Sequence, residues 1–141
     1  MIILTSFLLL FPLFGTLLLL FFQNSSKKLT SIISNTSILA AFLLSIYMLY
    51  SFYSSNSGAI SHNIFTFADV EQFSLHFGLY IDSLSLIMCS VVTSVSLLVH
   101  FYSIAYMKDD SSYNRFFIYT NFFTFSMLLI VLSNNFFQLF I

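Results

Sequence analysis

Charged positions interrupt this chain rarely, and the intervals between them set its architecture. Four stretches carry no charge at all: Ile2–Phe22, Ser31–Tyr53, Ser83–Met107 and Phe116–Leu132. As helices rising ~1.5 Å per residue, each is about long enough to cross a hydrocarbon layer of ~30 Å. A water-soluble helix would show a polar face at helical period, whereas these runs are apolar nearly all round. The pattern predicts an all-α integral membrane protein with about four transmembrane helices, over 2–22, 31–53, 83–107 and 116–132. Pro12 falls inside the first span, where a membrane helix tolerates the missing N–H if neighbours satisfy the freed carbonyl.

The connections differ in character. Asn63–Phe67 and Phe73–Phe77 alternate apolar and polar residues around Ala-Asp-Val-Glu-Gln. Period two predicts a short surface β-hairpin, about 63–77, between the second and third spans, with its Phe side turned to the membrane. At the other end of the chain, Ser133-Asn134-Asn135 closes the fourth span, and Phe136–Ile141 reads as the start of a fifth. Six residues fall far short of a crossing, so the chain reads as one membrane segment, 1–141, of a larger helical bundle. No internal repeat or linker-like boundary divides it.

Composition agrees with this. The chain is 59% hydrophobic and 6% charged, against ~25% charge in an ordinary soluble domain. A net charge of -1 offers nucleic acid no basic patch. The single cysteine, Cys89, lies inside a span and excludes an internal disulfide. All four basic residues sit in two connections: Lys27 and Lys28 in the first, Lys108 and Arg115 in the third. With spans alternating in direction, those connections share a side, which the positive-inside rule turns toward the cytoplasm or matrix. The N-terminus then faces the opposite side. Ile2–Phe22 reads as a retained span rather than a cleaved signal, having no basic residue ahead of an over-long apolar run.

The third span carries the most suggestive chemistry. Asp82, Ser85, Cys89, Thr93, Ser96, His100 and Ser103 recur at steps of three and four, and at ~100° per residue they fall within roughly an 80° arc. Asp82 and His100 stand about 27 Å apart along the axis. The stripe reads first as a packing seam, in which small hydroxyl residues admit a neighbouring helix and hydrogen-bond to it, Asp82 caps the helix and a neighbour satisfies His100. The alternative is a hydrated, proton-conducting path, since intramembrane ionisable residues often mark such routes. Asn121, with Thr124 one turn on, is expected to supply an interhelical hydrogen bond. His62, Asp69, Glu71 and His76 have no closed ligand spacing and read as a solvated loop rather than a metal site. No Gly-rich phosphate loop, CxxC pair or Ser/His/Asp arrangement appears. Catalytic, cofactor-binding and metal-binding residues are therefore expected to be absent.

FGLYIDSLSLIM (Phe77–Met88), VTSVSLLVHFYSIAYM (Val92–Met107) and NRFFIYTNFFTFSMLLIVLSNNFFQLFI (Asn114–Ile141) resemble the early part of subunit 5 of respiratory complex I, the proton-pumping NADH:ubiquinone oxidoreductase. The stretches and their spacing cover nearly half the chain. The first 76 residues fit in span number and hairpin placement without a specific motif. The resemblance implies a component of the proton-translocating membrane arm, with NADH, flavin, iron–sulfur clusters and ubiquinone used elsewhere in the complex and no cofactor bound by this chain. It implies the mitochondrial inner membrane, or alternatively a bacterial inner membrane. The implied partners are membrane lipids and other membrane-arm subunits, including a separate chain carrying the rest of subunit 5. The family's pumping glutamate and lysines lie in later spans, so none is carried over here. Asp82, His100 and Arg115 match motif positions and are expected to serve at the helix start, in packing and at the interface. Subunits of multi-subunit sodium/proton antiporters share much of the pattern and are the alternative within the family. A structural four-span accessory subunit is the alternative outside it.

Overall fold

The computed structural model describes residues 2–22, 26–55, 60–70 and 73–134. Four helices form: α1 (Ile2–Phe21), α2 (Lys27–Ser55), α3 (Ser83–Tyr106) and α4 (Tyr113–Val131). Each is long and apolar enough to cross a membrane. Between α2 and α3 lie β1 (Ile60–Val70) and β2 (Phe73–Ile81), an antiparallel pair. The expected architecture of four spans and one hairpin is the observed one. Asn135 and the expected fifth run, Phe136–Ile141, lie outside the described residues, as does the sidedness of the hairpin's Phe side chains.

α1, α3 and α4 each end one residue short of the expected span, while the starts of α2 and α4 move outward for physical reasons. α2 begins at Lys27 rather than at residue 31, because Lys27 Nζ donates to the carbonyls of Lys108 (2.8 Å) and Asp110 (2.9 Å). Two basic residues therefore extend the helix beyond its uncharged run. The same bonds put the first and third connections at one end of the bundle, as alternation of the spans requires. Lys27 also lies 5.7 Å from the centre of the Tyr113 ring, and Tyr113 opens α4 three residues before the uncharged stretch starts. The hairpin runs from 60 to 81, past the alternating segments, pairing Ile60 with Ile81. Its base is anchored where alternation gives no signal: Tyr80 N–H donates to the Leu132 carbonyl (2.9 Å), and Leu79 and Ile81 are buried.

Asp82 is the one residue between β2 and α3, and it turns strand into helix. Its extended backbone (φ -126°, ψ 166°) and its carboxylate, accepting from Ser83 N–H at 2.7 Å, make it the N-cap. Ser85 completes a capping box, its Oγ accepting from Asp82 N–H at 2.8 Å.

The bundle is built inside out relative to a soluble one. Thr16, Ser34, Ser45, Thr93, His100 and Asn121 are each 5% exposed or less, while Phe14, Leu43, Leu98 and Phe123 point outward. With lipid as apolar as leucine, burying leucine gains little, and close approach with interhelical hydrogen bonds holds the helices instead. Apolar clusters close the two ends. Leu8, Leu79, Cys89, Leu128 and Leu132 pack on the hairpin side, and Leu19, Tyr113, Phe117 and Ile118 near the basic connections.

Candidate functional site

α3 presents its polar stripe to the protein. Ser85, Cys89, Thr93, His100 and Ser103 are buried and Ser96 is half-buried. The stripe is not one continuous chain of hydrogen bonds. Ser85 donates to the Asp82 carbonyl (2.9 Å) and Ser103 to that of Val99 (2.7 Å), each serving its own helix. Cys89 sits in the apolar cluster beneath the hairpin and interrupts the polar run.

Two stripe residues reach across to other helices through hydroxyls. Thr93 Oγ1 meets Ser45 Oγ of α2 at 3.0 Å. Ser96 Oγ meets Thr124 Oγ1 of α4 at 2.7 Å, and because Thr124 gives its proton to the Thr120 carbonyl (2.9 Å), Ser96 is the donor. A third link joins α2 to α4, where Thr30 Oγ1 donates to Asn114 Oδ1 (2.9 Å).

The densest polar contact centres on His100. Its Nδ1 lies 2.7 Å from the Ser96 carbonyl and its Nε2 3.1 Å from Asn121 Oδ1. The ring packs against Phe117, centroids 5.7 Å apart. Behind Asn121 stands Gly15 of α1. A Cβ placed on Gly15 would run into Ser37 Oγ, lie 2.8 Å from Ser37 Cβ and 3.3 Å from Asn121 Nδ2. Glycine is therefore required here for close helix approach. All four helices meet at this level through Gly15, Ser37, His100 and Asn121.

Asn121 thus bonds across to α3 as expected, with His100 as its partner, and Thr124 one turn on bonds across to Ser96. Asp82 is the cap, about 27 Å along the axis from His100, and the structure does not bring the two together. Arg115 lies exposed in the first turn of α4. Gly15, Ser37, Ser45 and the Thr30–Asn114 pair were not singled out from the sequence. The signal for them was present in α2, where Thr30, Ser34, Ser37, Ala41 and Ser45 repeat small residues at steps of three and four. The side chains of His62, Asp69, Glu71 and His76 lie outside the described residues, and no group of three metal-ligating side chains occurs among the described residues.

Comparison with known proteins bears out the resemblance. Residues 67–117 match the family model of the NADH-ubiquinone oxidoreductase (complex I) chain 5 N-terminus. NADH-quinone oxidoreductase subunit L of Escherichia coli is 37% identical over 125 residues, covering 88% of this chain and 20% of that protein. NADH-ubiquinone oxidoreductase chain 5 of Allomyces macrogynus is 40% identical over 113 residues, 79% of this chain and 18% of the other. The chloroplastic NAD(P)H-quinone oxidoreductase subunit 5 of Ipomoea purpurea is 42% identical over 127 residues, 87% and 18% respectively. The chain spans about a fifth of the length of the curated relatives it matches.

Proposed function

We propose that this chain, similar over most of its length to about a fifth of the subunit L and chain 5 proteins and matched over residues 67–117 by the chain 5 N-terminus family, supplies the first four spans of a proton-translocating membrane subunit of NADH:quinone oxidoreductase. The observation that carries the reading is that similarity, at 37–42% identity to relatives from a bacterium and a plastid. The polar interior supports it, because a bundle held by hydroxyl, imidazole and amide contacts suits a subunit that works inside a larger helical assembly.

In this reading the chain shapes and braces the membrane arm and holds no redox group. Its one cysteine, buried in an apolar cluster, falls short of the four thiolates an iron–sulfur cluster takes. NADH, flavin, iron–sulfur clusters and ubiquinone are handled by other parts of the complex. The partners are other membrane-arm subunits and lipid. The membrane is the mitochondrial inner one, with the basic connections toward the matrix and the N-terminus on the positive side. The polar stripe Asp82, Ser85, Thr93, Ser96, His100 and Ser103 serves helix start and packing.

Removing the chain from its source membranes tests this. The expected result is loss of NADH-driven quinone reduction and of the coupled proton uptake in inverted vesicles. Retention of both, with loss of sodium/proton exchange instead, would assign the chain to an antiporter.

A further inference from the structure

His100 and Asn121 form a pair whose hydrogen bonds fix where protons must be. The Ser96 carbonyl only accepts, so His100 Nδ1 carries a hydrogen and donates to it across 2.7 Å. Asn121 Oδ1 also only accepts, so the 3.1 Å contact to Nε2 requires a hydrogen there as well. With Oδ1 toward the ring, the pair therefore describes an imidazolium. The same orientation leaves Asn121 Nδ2 buried with no hydrogen-bond partner among the described residues. A neutral ring held by Ser96 is the Nδ1–H tautomer, and its Nε2 lone pair needs a donor. Turning the amide by about 180° meets that need, because Nδ2 then donates to Nε2 and Oδ1 faces Gly15 and Ser37.

We infer that His100 Nε2 is a proton-binding site inside the bundle, and that its occupancy sets the orientation of the Asn121 amide. The step balances: hydronium gives a proton to the Nε2 lone pair and leaves as water, the ring gains the one positive charge, and Asn121 turns Oδ1 toward the new N–H. Release to water reverses each change. The elements packed around the pair supply few competitors for the proton. α1 brings Gly15, α2 brings Ser37, and α4 brings Phe117 and Thr124. Tyr113 lies beyond Phe117, rings 4.9 Å apart. The charged residues whose side chains are described, Lys27, Lys28, Asp82, Lys108, Asp109, Asp110 and Arg115, all lie in connections or in the first turns of helices. Lys108 is about 12 Å along the axis from His100. Because Asn121 also touches the Gly15–Ser37 contact, a change at His100 is felt by all four helices. The inference stands on this geometry and does not depend on the pump reading.

The test is solid-state 15N NMR of the full assembly in native membranes, with ring-labelled histidine and side-chain-labelled asparagine. A His100→Gln preparation supplies the background, and an Asn121→Leu preparation assigns the amide, so either variant that fails to assemble leaves the other. At high pH the expected ring is Nδ1–H with an unprotonated Nε2. As pH falls, the unprotonated nitrogen signal should be lost and the Asn121 amide signals should shift with the same midpoint. A neutral ring protonated on Nε2, a ring unchanged between pH 5 and 9, or an amide that does not move with the ring would each overturn the inference. None of those results would touch the family reading, which rests on assembly and redox activity.

Discussion

Gly15→Ala is the smallest change that should disturb the whole bundle. The added Cβ would run into Ser37 Oγ and sit 2.8 Å from Ser37 Cβ, where carbons prefer about 3.5–4.0 Å. Ser37 cannot swing both atoms away, since its Cβ is fixed to the α2 backbone. α1 and α2 must therefore separate by close to ~1 Å, and Asn121 Nδ2, 3.3 Å from the same point, is pressed toward His100. Overpacking of this kind costs about 1–3 kcal/mol, and ~2 kcal/mol is roughly a 30-fold shift in equilibrium. The assay is a double-mutant cycle on the melting temperature of the membrane assembly. Gly15→Ala alone should lower it, and Ser37→Gly, which removes both clashing atoms, should recover most of the loss. Gly15→Ala without effect, or loss that Ser37→Gly does not relieve, would refute the close-approach argument.

Three other predictions follow from single contacts. Replacing Thr93 with Val and Ser45 with Ala in a second cycle should give a coupling of ~0.6 kcal/mol, at most about 1.7; additive effects would mean the 3.0 Å contact holds nothing together. Asp82→Ala should cost about 1 kcal/mol and raise hydrogen exchange in the first turn of α3, while Asp82→Asn should retain most of the cap; equal exchange in both variants would remove Asp82 as the cap. Cysteines at Ser26 and Asp109 should label with a membrane-impermeant reagent from one and the same side, since Lys27 ties their connections together; labelling from opposite sides would break the topology.

The spans were legible because charge is so costly in hydrocarbon that its absence over some twenty residues has few other readings. The same rule misplaced the ends of α2 and α4. Lys27 and Arg115 belong to helices that continue into the polar layer, and Lys27 is held there by carbonyls of a connection 81 residues away. The stripe on α3 was legible from spacing alone, since one helix face is a local property. Its partners were not, because the order of a chain does not say which faces of four similar helices meet. Asn121 read correctly as an interhelical bonding residue, yet only the fold pairs it with His100 and puts Gly15 behind it. The hairpin showed where alternation was strong, and its base at Gly78–Ile81 was hidden because those residues pair with the end of α4 as well as with β1.

The central claim is most directly tested by affinity purification of the tagged chain from gently solubilised source membranes, followed by an assay of NADH:quinone oxidoreductase activity. The predicted result is that the chain brings down that activity, with flavin and iron–sulfur signals and other membrane-arm subunits. Recovery of the chain with sodium/proton exchange subunits, or with no redox activity at all, would contradict it.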